Sequence, residues 1–131
     1  MMKSEKTSLF IELITRRINE IVPCYYEEAE SAAVLPYAVI TDMHTTDLGA
    51  VELAEFDVHV WAEEKEARNP AEDLEKICDE LAAGINKTVL RKDGVIYSHI
   101  YFEDKNPLPE AEADLLHRQL SFMARNIYTG G

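Results

Sequence analysis

The sequence is poor in cysteine and glycine and has no long apolar run. Cys24 and Cys78 lie too far apart for zinc spacing and are too few for a disulfide framework. The five glycines occur singly except at the end, which excludes dinucleotide-binding and phosphate-binding loops. No stretch approaches the roughly 18 apolar residues of a membrane span, and the start lacks a signal peptide. These absences predict a cytoplasmic protein without a cofactor, a bound metal or a membrane partner.

Basic residues are also scarce. Thirteen Lys and Arg stand against 25 Asp and Glu, which gives a formal net charge of −12. Such a chain repels phosphates, so specific nucleic-acid binding is disfavoured. The charge is uneven, because residues 1–23 carry a net +1 and the remainder a net −13. These two regions offer a possible pair of complementary patches for contacts between copies.

The length of 131 residues and the hydrophobic content of 47% are those of one folded domain. A chain of this size buries roughly two-thirds of the surface that its unfolded form exposes. We therefore expect residues 1–131 to form a single domain with short flexible ends.

Two segments have helical periodicity. Apolar residues recur at helical spacing from Ser8 to Val22, and Pro23 ends that pattern. The second helix begins at Pro70, which suits a first helical position, and runs to about Asn86. Its apolar residues follow at steps of three and four: Leu74, Ile77, Leu81 and Ile85.

Other segments predict strands, in the order Leu35–Thr46, Val51–Trp61, Thr88–Arg91 and Val95–Glu103. Turn residues between the members of each pair favour hairpins. Segment 24–33 is expected to be a loop or a short irregular edge, and segment 104–109 a loop marked by proline. The segment Asp114–Tyr128 fits both a helix and a strand, and periodicity alone leaves the two open. The prediction is an α+β fold, with a mainly antiparallel sheet of about four to five strands packed against two helices.

Candidate chemical groups lie mainly on the predicted strands. Four histidines, at positions 44, 59, 99 and 117, show no paired ligand spacing, so no metal site is predicted. Asp57 and His59 share a strand face, but no nucleophile in a strained turn accompanies them, so no catalytic residue is assigned. A hydrolase or isomerase using this pair remains the less favoured alternative. A second alternative is a small dimeric ligand-binding module whose pocket is lined by Tyr97, His99 and Tyr101.

Trp61 is the single tryptophan and ends the second predicted strand. Tryptophan is enriched among the anchors of protein interfaces. It also packs under helix ends within a fold. Both interpretations of Trp61 are open at the level of sequence.

Taken together, several of these segments resemble a known family. The resemblance extends from the first helix to Tyr128 and rests on Leu35–Ile40, on Phe56–Ala62, on the helix with Leu74, Ile77 and Leu81, and on His117–Phe122. Patterns of this kind are similar to those of the tail-terminator, or tail-completion, proteins of long-tailed bacteriophages and prophages.

The resemblance implies a non-enzymatic structural protein whose copies close into a hexameric ring. Its partners would be the tail-tube protein and head-connector proteins, and it would pass from the host cytoplasm into the tail or neck of the virion. It also implies that the ambiguous final segment is a strand. The interface residues then expected are His59, Trp61, Glu63, Glu64 and Glu66, and the acidic stretch from Ala62 to Glu80 is a candidate for contacts around the ring.

Overall fold

The computed structural model describes residues 3–63, 70–110 and 115–129. In these residues the chain forms two helices and six strands. Their order is α1 (Lys3–Asn19), β1 (Cys24–Tyr26), β2 (Tyr37–Asp47), β3 (Val51–Glu63), α2 (Pro70–Ile85), β4 (Thr88–Lys92), β5 (Ile96–Leu108) and β6 (Leu115–Tyr128). Neither described helix has the length and hydropathy needed to cross a membrane.

The α+β class is confirmed, but the predicted sheet had too few strands and did not include a parallel pair. The described strands form one six-stranded sheet in the order β1-β2-β3-β6-β5-β4. Strand β1 pairs with β2 in parallel, and the other pairs are antiparallel. Three residues are too few to show a period, so the sequence left this segment open between a loop and a short irregular edge, and the structure makes Cys24–Tyr26 a short edge strand.

Strand β5 continues through most of a second predicted loop, 104–109. Its register shifts between Phe102 and Asp104, and pairing with β6 resumes as far as Leu108. Strand β4 reaches only to Ile100 on the other side, so the end of β5 is an edge. Pro107 lacks an N–H group and is tolerated at such an edge. The proline therefore marked an edge strand and not a loop.

The ambiguous final segment is strand β6, as the resemblance implied. It lies between β3 and β5 and pairs with both along almost its whole length. Its backbone N–H and C=O groups are satisfied by hydrogen bonds to the two neighbouring strands. The periodicity of the segment itself cannot indicate such pairing. The longest described pairing in the sheet therefore depends on this segment.

The two helices cover one face of the sheet. The even-numbered residues of β3 and β6 point to this covered face, where Phe56, Val58, Leu120 and Phe122 are buried. From the helices they meet fully buried side chains: Phe10, Ile14, Ile18, Leu74, Cys78, Leu81 and Ile85. This apolar layer is the core.

Helix α1 is displaced from its predicted bounds, since it begins at Lys3 and ends at Asn19. Residues just before a proline are disfavoured in helical conformation, so the chain leaves the helix before Pro23. Asn19 Oδ1 accepts a hydrogen bond from the Cys24 backbone N–H at 3.0 Å. Val22 remains buried although it lies outside the helix. The apolar pattern in the sequence therefore marked residues that are buried, and it extended past the end of the helix.

A polar cluster lies in this otherwise apolar layer. Glu52 is 4% exposed and accepts a hydrogen bond from Asn126 Nδ2 at 3.1 Å. The Tyr128 hydroxyl lies 2.9 Å from Glu52 Oε1 and 2.7 Å from the Lys6 carbonyl oxygen. Burial raises the pKa of Tyr128 far above its usual range, and the hydrogen bond with Glu52 raises it further. These contacts tie the start of α1 to the sheet.

Candidate functional site

The opposite face of the sheet, here called the open face, carries the odd-numbered residues of β3 and β6. In the described part of the chain no helix packs against it. Along β3 this face presents Asp57, His59 and Trp61, each half-buried. The prediction that Asp57 and His59 share a strand face is therefore confirmed.

The register between β3 and β6 decides which side chains meet on the open face. His117 lies opposite Trp61, Gln119 opposite His59, and Ser121 opposite Asp57. On the other side of β3, strand β2 places Tyr37 opposite Trp61. Side chains directly opposite each other are close enough to interact.

Aromatic and imidazole rings form a layered group at one end of this face. The Trp61 ring stacks on the His117 ring with centroids 4.3 Å apart, and on the His59 ring at 5.6 Å. Tyr37 packs against Trp61 at 5.7 Å. We call this group, with Glu110, the histidine–tryptophan cluster. Strand residues and Glu110 contact Trp61, and no helix end is among its described contacts.

A chain of hydrogen bonds runs through the histidine–tryptophan cluster. Glu110 Oε1 accepts a hydrogen bond from Trp61 Nε1 at 3.0 Å and lies 2.8 Å from His117 Nδ1. His117 Nε2 lies 2.6 Å from His59 Nδ1. The arrangement fixes both imidazole rings in position.

Both imidazoles favour the neutral form. Burial lowers the pKa of His117, and the nearby His59 lowers it further, against the opposing effect of Glu110. Burial also lowers the pKa of His59, although Asp57 and Asp42 act in the opposite direction. A neutral His117 next to the Glu110 carboxylate carries its proton on Nδ1, since two acceptors would otherwise face each other.

Asp57 is held by side chains of β6. It accepts hydrogen bonds from Gln119 Nε2 at 2.9 Å and from Ser121 Oγ at 2.8 Å. Ser121 thus donates its proton to Asp57 and not to His59, which is not the arrangement of a serine nucleophile and its base. One donor atom from each of Asp42, Asp57 and His59 lies within 4.8 Å of the others. Oxygen and nitrogen donors in this arrangement can hold a cation.

The predicted interface residues are only partly brought together. His59 and Trp61 share the histidine–tryptophan cluster, and Glu63 is exposed at the end of β3. Glu64 and Glu66 lie outside the described residues, as does part of the acidic stretch 62–80. The roles of all five as contacts between copies stay predictions.

The side chains of the alternative pocket lie elsewhere on the open face. Tyr97, His99 and Tyr101 are on β5. His99 pairs with Arg125, towards the opposite end of β6 from His117. The structure therefore separates this group from the histidine–tryptophan cluster.

Sequence reasoning missed the contributions of His117 and Glu110. His117 alternates with apolar residues along its segment, which was a signal for a strand face, but its partner depends on register. Glu110 follows β5 in an irregular segment without a periodic pattern. Only the folded structure brings these groups to Trp61.

A groove lies at the other side of the molecule, between α1 and the edge strand β1. It has a volume of about 630 Å³, and its lining includes Ile11, Thr15, Cys24 and Tyr26. Arg16 also lines it and pairs with Glu12 at 3.0 Å. This is the region that the sequence marks as nearly neutral.

The architecture is a two-layer α+β fold with one covered and one open sheet face. No protein-family model matches the chain. No curated protein matches it significantly. Among solved structures, it is similar to a chain described as "Virion of native gene transfer agent (GTA) particle", with a TM-score of 0.62 and 15% sequence identity. The likeness covers 95% of this chain and 94% of that one, and at such low identity it shows a shared fold.

Proposed function

We propose that this protein is a structural component of a phage or prophage virion. More specifically, we propose that it caps the tail tube by forming a ring and helps to join the tail to the head. The observation that carries this proposal is the fold shared, over 95% of the chain, with a chain of a gene transfer agent virion. The resemblance of Leu35–Ile40, Phe56–Ala62 and His117–Phe122 to tail-terminator proteins supports the same class from sequence.

Ring closure requires two different surfaces on each copy, because each subunit contacts its neighbours head to tail. One candidate surface is the end of β3 that carries Trp61 and the exposed Glu63. The other is the outer side of α1, where the Arg16 side chain is 71% exposed. The net +1 of residues 1–23 against −13 elsewhere favours such a contact electrostatically.

The charge of the chain suits a ring around a DNA passage. A net charge of −12 repeated around a pore repels phosphates where acidic side chains face inward. DNA would then pass without being held. The partners of the ring in this role are the tail-tube protein on one side and head-connector proteins on the other, and its place is the neck of the virion.

The test is assembly of the purified protein at high concentration. Sedimentation velocity and negative-stain electron microscopy should reveal rings, with six copies as the expected number. Tail tubes of the particle encoded with this protein should also bind it at their ends. The tube assay is needed because a tail end can template a ring that does not form in solution.

Charge reversal at the proposed contact sharpens this test. Glu63→Lys should weaken ring formation and tube binding, because it places a positive charge opposite the Arg16 side of the next copy. The matched control is Asp93→Lys in the β4–β5 turn, where the aspartate side chain is 80% exposed. A strict monomer without affinity for tail tubes contradicts the proposal, and equal effects of both variants contradict this choice of surface.

A further inference from the structure

We propose that Asp42, Asp57 and His59 bind a divalent first-row metal ion, Zn²⁺ or Mn²⁺, on the open face. One donor atom from each residue lies within 4.8 Å of the other two. The donors come from two neighbouring strands, β2 and β3. This site is separate from the proposed contact between Glu63 and the Arg16 side of a second copy.

An irregularity in β2 brings the first donor into place. The register between β2 and β3 shifts between Thr41 and His44, so Asp42 and Met43 fall outside the regular ladder. Asp42 has a positive φ of 55° at this bulge. Thr41 lies opposite Asp57, and the bulge therefore carries the Asp42 carboxylate to the side of β3 where Asp57 and His59 lie.

The second observation is the orientation of the His59 ring, which comes from residues outside the three donors. Glu110 fixes the proton of His117 on Nδ1, so His117 Nε2 is an acceptor. His59 Nδ1, at 2.6 Å, must then donate to it. The remaining nitrogen, His59 Nε2, keeps its lone pair, and no donor among the described residues reaches it.

This arrangement is the usual one around a histidine that binds a metal. Such a histidine donates its second ring N–H to an acceptor, which sets the tautomer and the ring orientation. Here the acceptor is His117, itself only 7% exposed and held by Glu110. A ring nitrogen of His59 lies in one group with the Asp42 and Asp57 carboxylates, and an imidazole that keeps a lone pair on Nε2 is suited to bind a cation there.

Donor chemistry and spacing select the kind of ion. Imidazole favours Zn²⁺ and similar metals, and carboxylates also suit Mn²⁺. Donors bound to one ion at about 2.1 Å lie roughly 3.4 Å apart, so donor atoms separated by up to 4.8 Å must approach by up to about 1.4 Å. Asp42 is exposed and can make that movement by rotating its side chain. Three protein donors leave at least one position of the ion for water.

The local charge favours a cation as well. A depression lined by Asp42 and Asp57, two of the three donors, is also lined by Glu55, Glu103 and His44. Among the described residues that line it, none is Lys or Arg. Carboxylates that are close together repel one another, and a bound divalent ion relieves that repulsion.

The experiment measures binding of Zn²⁺ and Mn²⁺ to the untagged full chain by isothermal titration calorimetry, with Mg²⁺ and Ca²⁺ as comparison ions. We expect one ion per chain with a dissociation constant in the micromolar range. Asp57→Asn and His59→Gln should each weaken binding by about tenfold or more, and Asp42→Asn should do so as well. The matched controls Asp93→Asn and His99→Gln, which alter the same residue types elsewhere, should bind as the unchanged protein does.

Nitrogen NMR of the imidazoles provides a readout that a structural role alone would not move. On addition of Zn²⁺, the His59 Nε2 resonance should shift while Nδ1 keeps its proton. Circular dichroism verifies that each variant is folded. The proposal is overturned if neither ion binds saturably up to about 1 mM. It is equally overturned if the folded donor variants bind as well as the controls, or if the His59 resonances do not respond.

Discussion

The two faces of the sheet are formed by the same strands but are held together by different interactions. On β3, the even-numbered Phe56 and Val58 are buried against the helices, whereas the odd-numbered Asp57 and His59 are half-buried and polar. The covered face is held by apolar contact, and the open face by directed hydrogen bonds such as that between Ser121 and Asp57. A single residue step along the strand separates the two.

This difference explains how a fold can persist at 15% identity. The covered face requires side chains that are apolar and of suitable volume, and many combinations satisfy that requirement. The open face requires particular donors and acceptors at particular positions, such as Glu110 beside His117. We therefore expect the fold to depend on the first face and the specific activity on the second.

The largest difference between the faces should appear when a side chain is truncated. Phe56 is 2% exposed and lies 5.7 Å from Phe10 and 5.6 Å from Phe122 between ring centroids. Phe56→Ala should lower the free energy of unfolding by about 3–5 kcal/mol, because it leaves a cavity in the core. Urea denaturation followed by circular dichroism measures this loss.

The control for Phe56→Ala is Leu53→Ala, three residues away on the open face and half-buried. Its cost should be about 1 kcal/mol or less, since little apolar area is lost. Equal losses for the two variants would show that the open face is packed as tightly as the core, and the comparison of faces would then be incorrect.

Thiol reactivity distinguishes the faces in a second way. Burial raises the pKa of the Cys24 thiol to about 12. Burial is also the main cause that raises the pKa of Cys78 to about 11, and the nearby negative charge of Glu75 adds to it. Only the thiolate reacts, so Cys78 in the folded protein should react with a disulfide reagent about 100-fold more slowly than a free thiol. Stopped-flow absorbance before and after unfolding in guanidinium measures the ratio.

A thiol introduced on the open face provides the comparison. In a chain with Cys24→Ser and Cys78→Ser, the variant Tyr101→Cys should react at nearly the rate of a free thiol, because Tyr101 is 40% exposed. Fast reaction of the native Cys78 would contradict its burial between α2 and the sheet.

The hydrogen bonds of the open face should have a smaller but measurable effect. His117→Ala removes the partner of His59 Nδ1 and the stacking contact with Trp61 at 4.3 Å. Leaving a buried polar group without a partner costs about 1–3 kcal/mol, so we expect a loss in that range at neutral pH. His99→Ala, on the same face but outside the cluster, should change stability by about 0.5 kcal/mol or less. Thermal denaturation of both variants distinguishes a structural cluster from a merely adjacent pair of rings.

Much of the covered face was predictable from the sequence. The period of α2 and the pattern of Val51–Trp61 are local signals. The first identified Leu74 and Leu81 as the apolar side of the helix, and the second identified strand β3. The turn at Lys92–Gly94 was also local: Gly94 has a φ of 73°, which glycine adopts without strain. Signals of this kind need no knowledge of the rest of the chain.

The candidate site was predictable only in part, because it depends on contacts between distant segments. His59 and His117 are 58 residues apart in sequence. They meet because Trp61 is paired with His117, and a slip of one residue would turn His117 to the other face. The bulge at Asp42 has no local signal in the sequence either. The sequence therefore identified Asp57, His59 and Trp61 but not the residues that position them.

The smallest expected effect lies at the rim of the covered face, where ion pairs join α2 to the sheet. Glu75 accepts hydrogen bonds from Lys105 Nζ and from Arg118 Nε, the latter at 2.7 Å. The hydrogen bond from Lys105 lowers the pKa of Glu75 most, and the bond from Arg118 lowers it further. Together they hold this pKa below its ordinary 4.5, although burial acts in the opposite direction. The unfolded chain therefore binds this proton more readily than the folded protein does.

The sign of the pH dependence follows directly. The contribution of Glu75 to stability is present above pH 4.5 and is lost as the pH falls through the lowered pKa of the folded protein. Glu75→Gln should cost less than about 1 kcal/mol at pH 7, because the carboxylate side chain is 38% exposed and solvent screens it. At a pH below the lowered pKa of the folded protein, the difference should shrink, whereas Glu80→Gln on the same helix should change little at either pH. Urea denaturation at both pH values measures this, and an undiminished difference in acid would assign the role of Glu75 to neutral hydrogen bonding, not to charge.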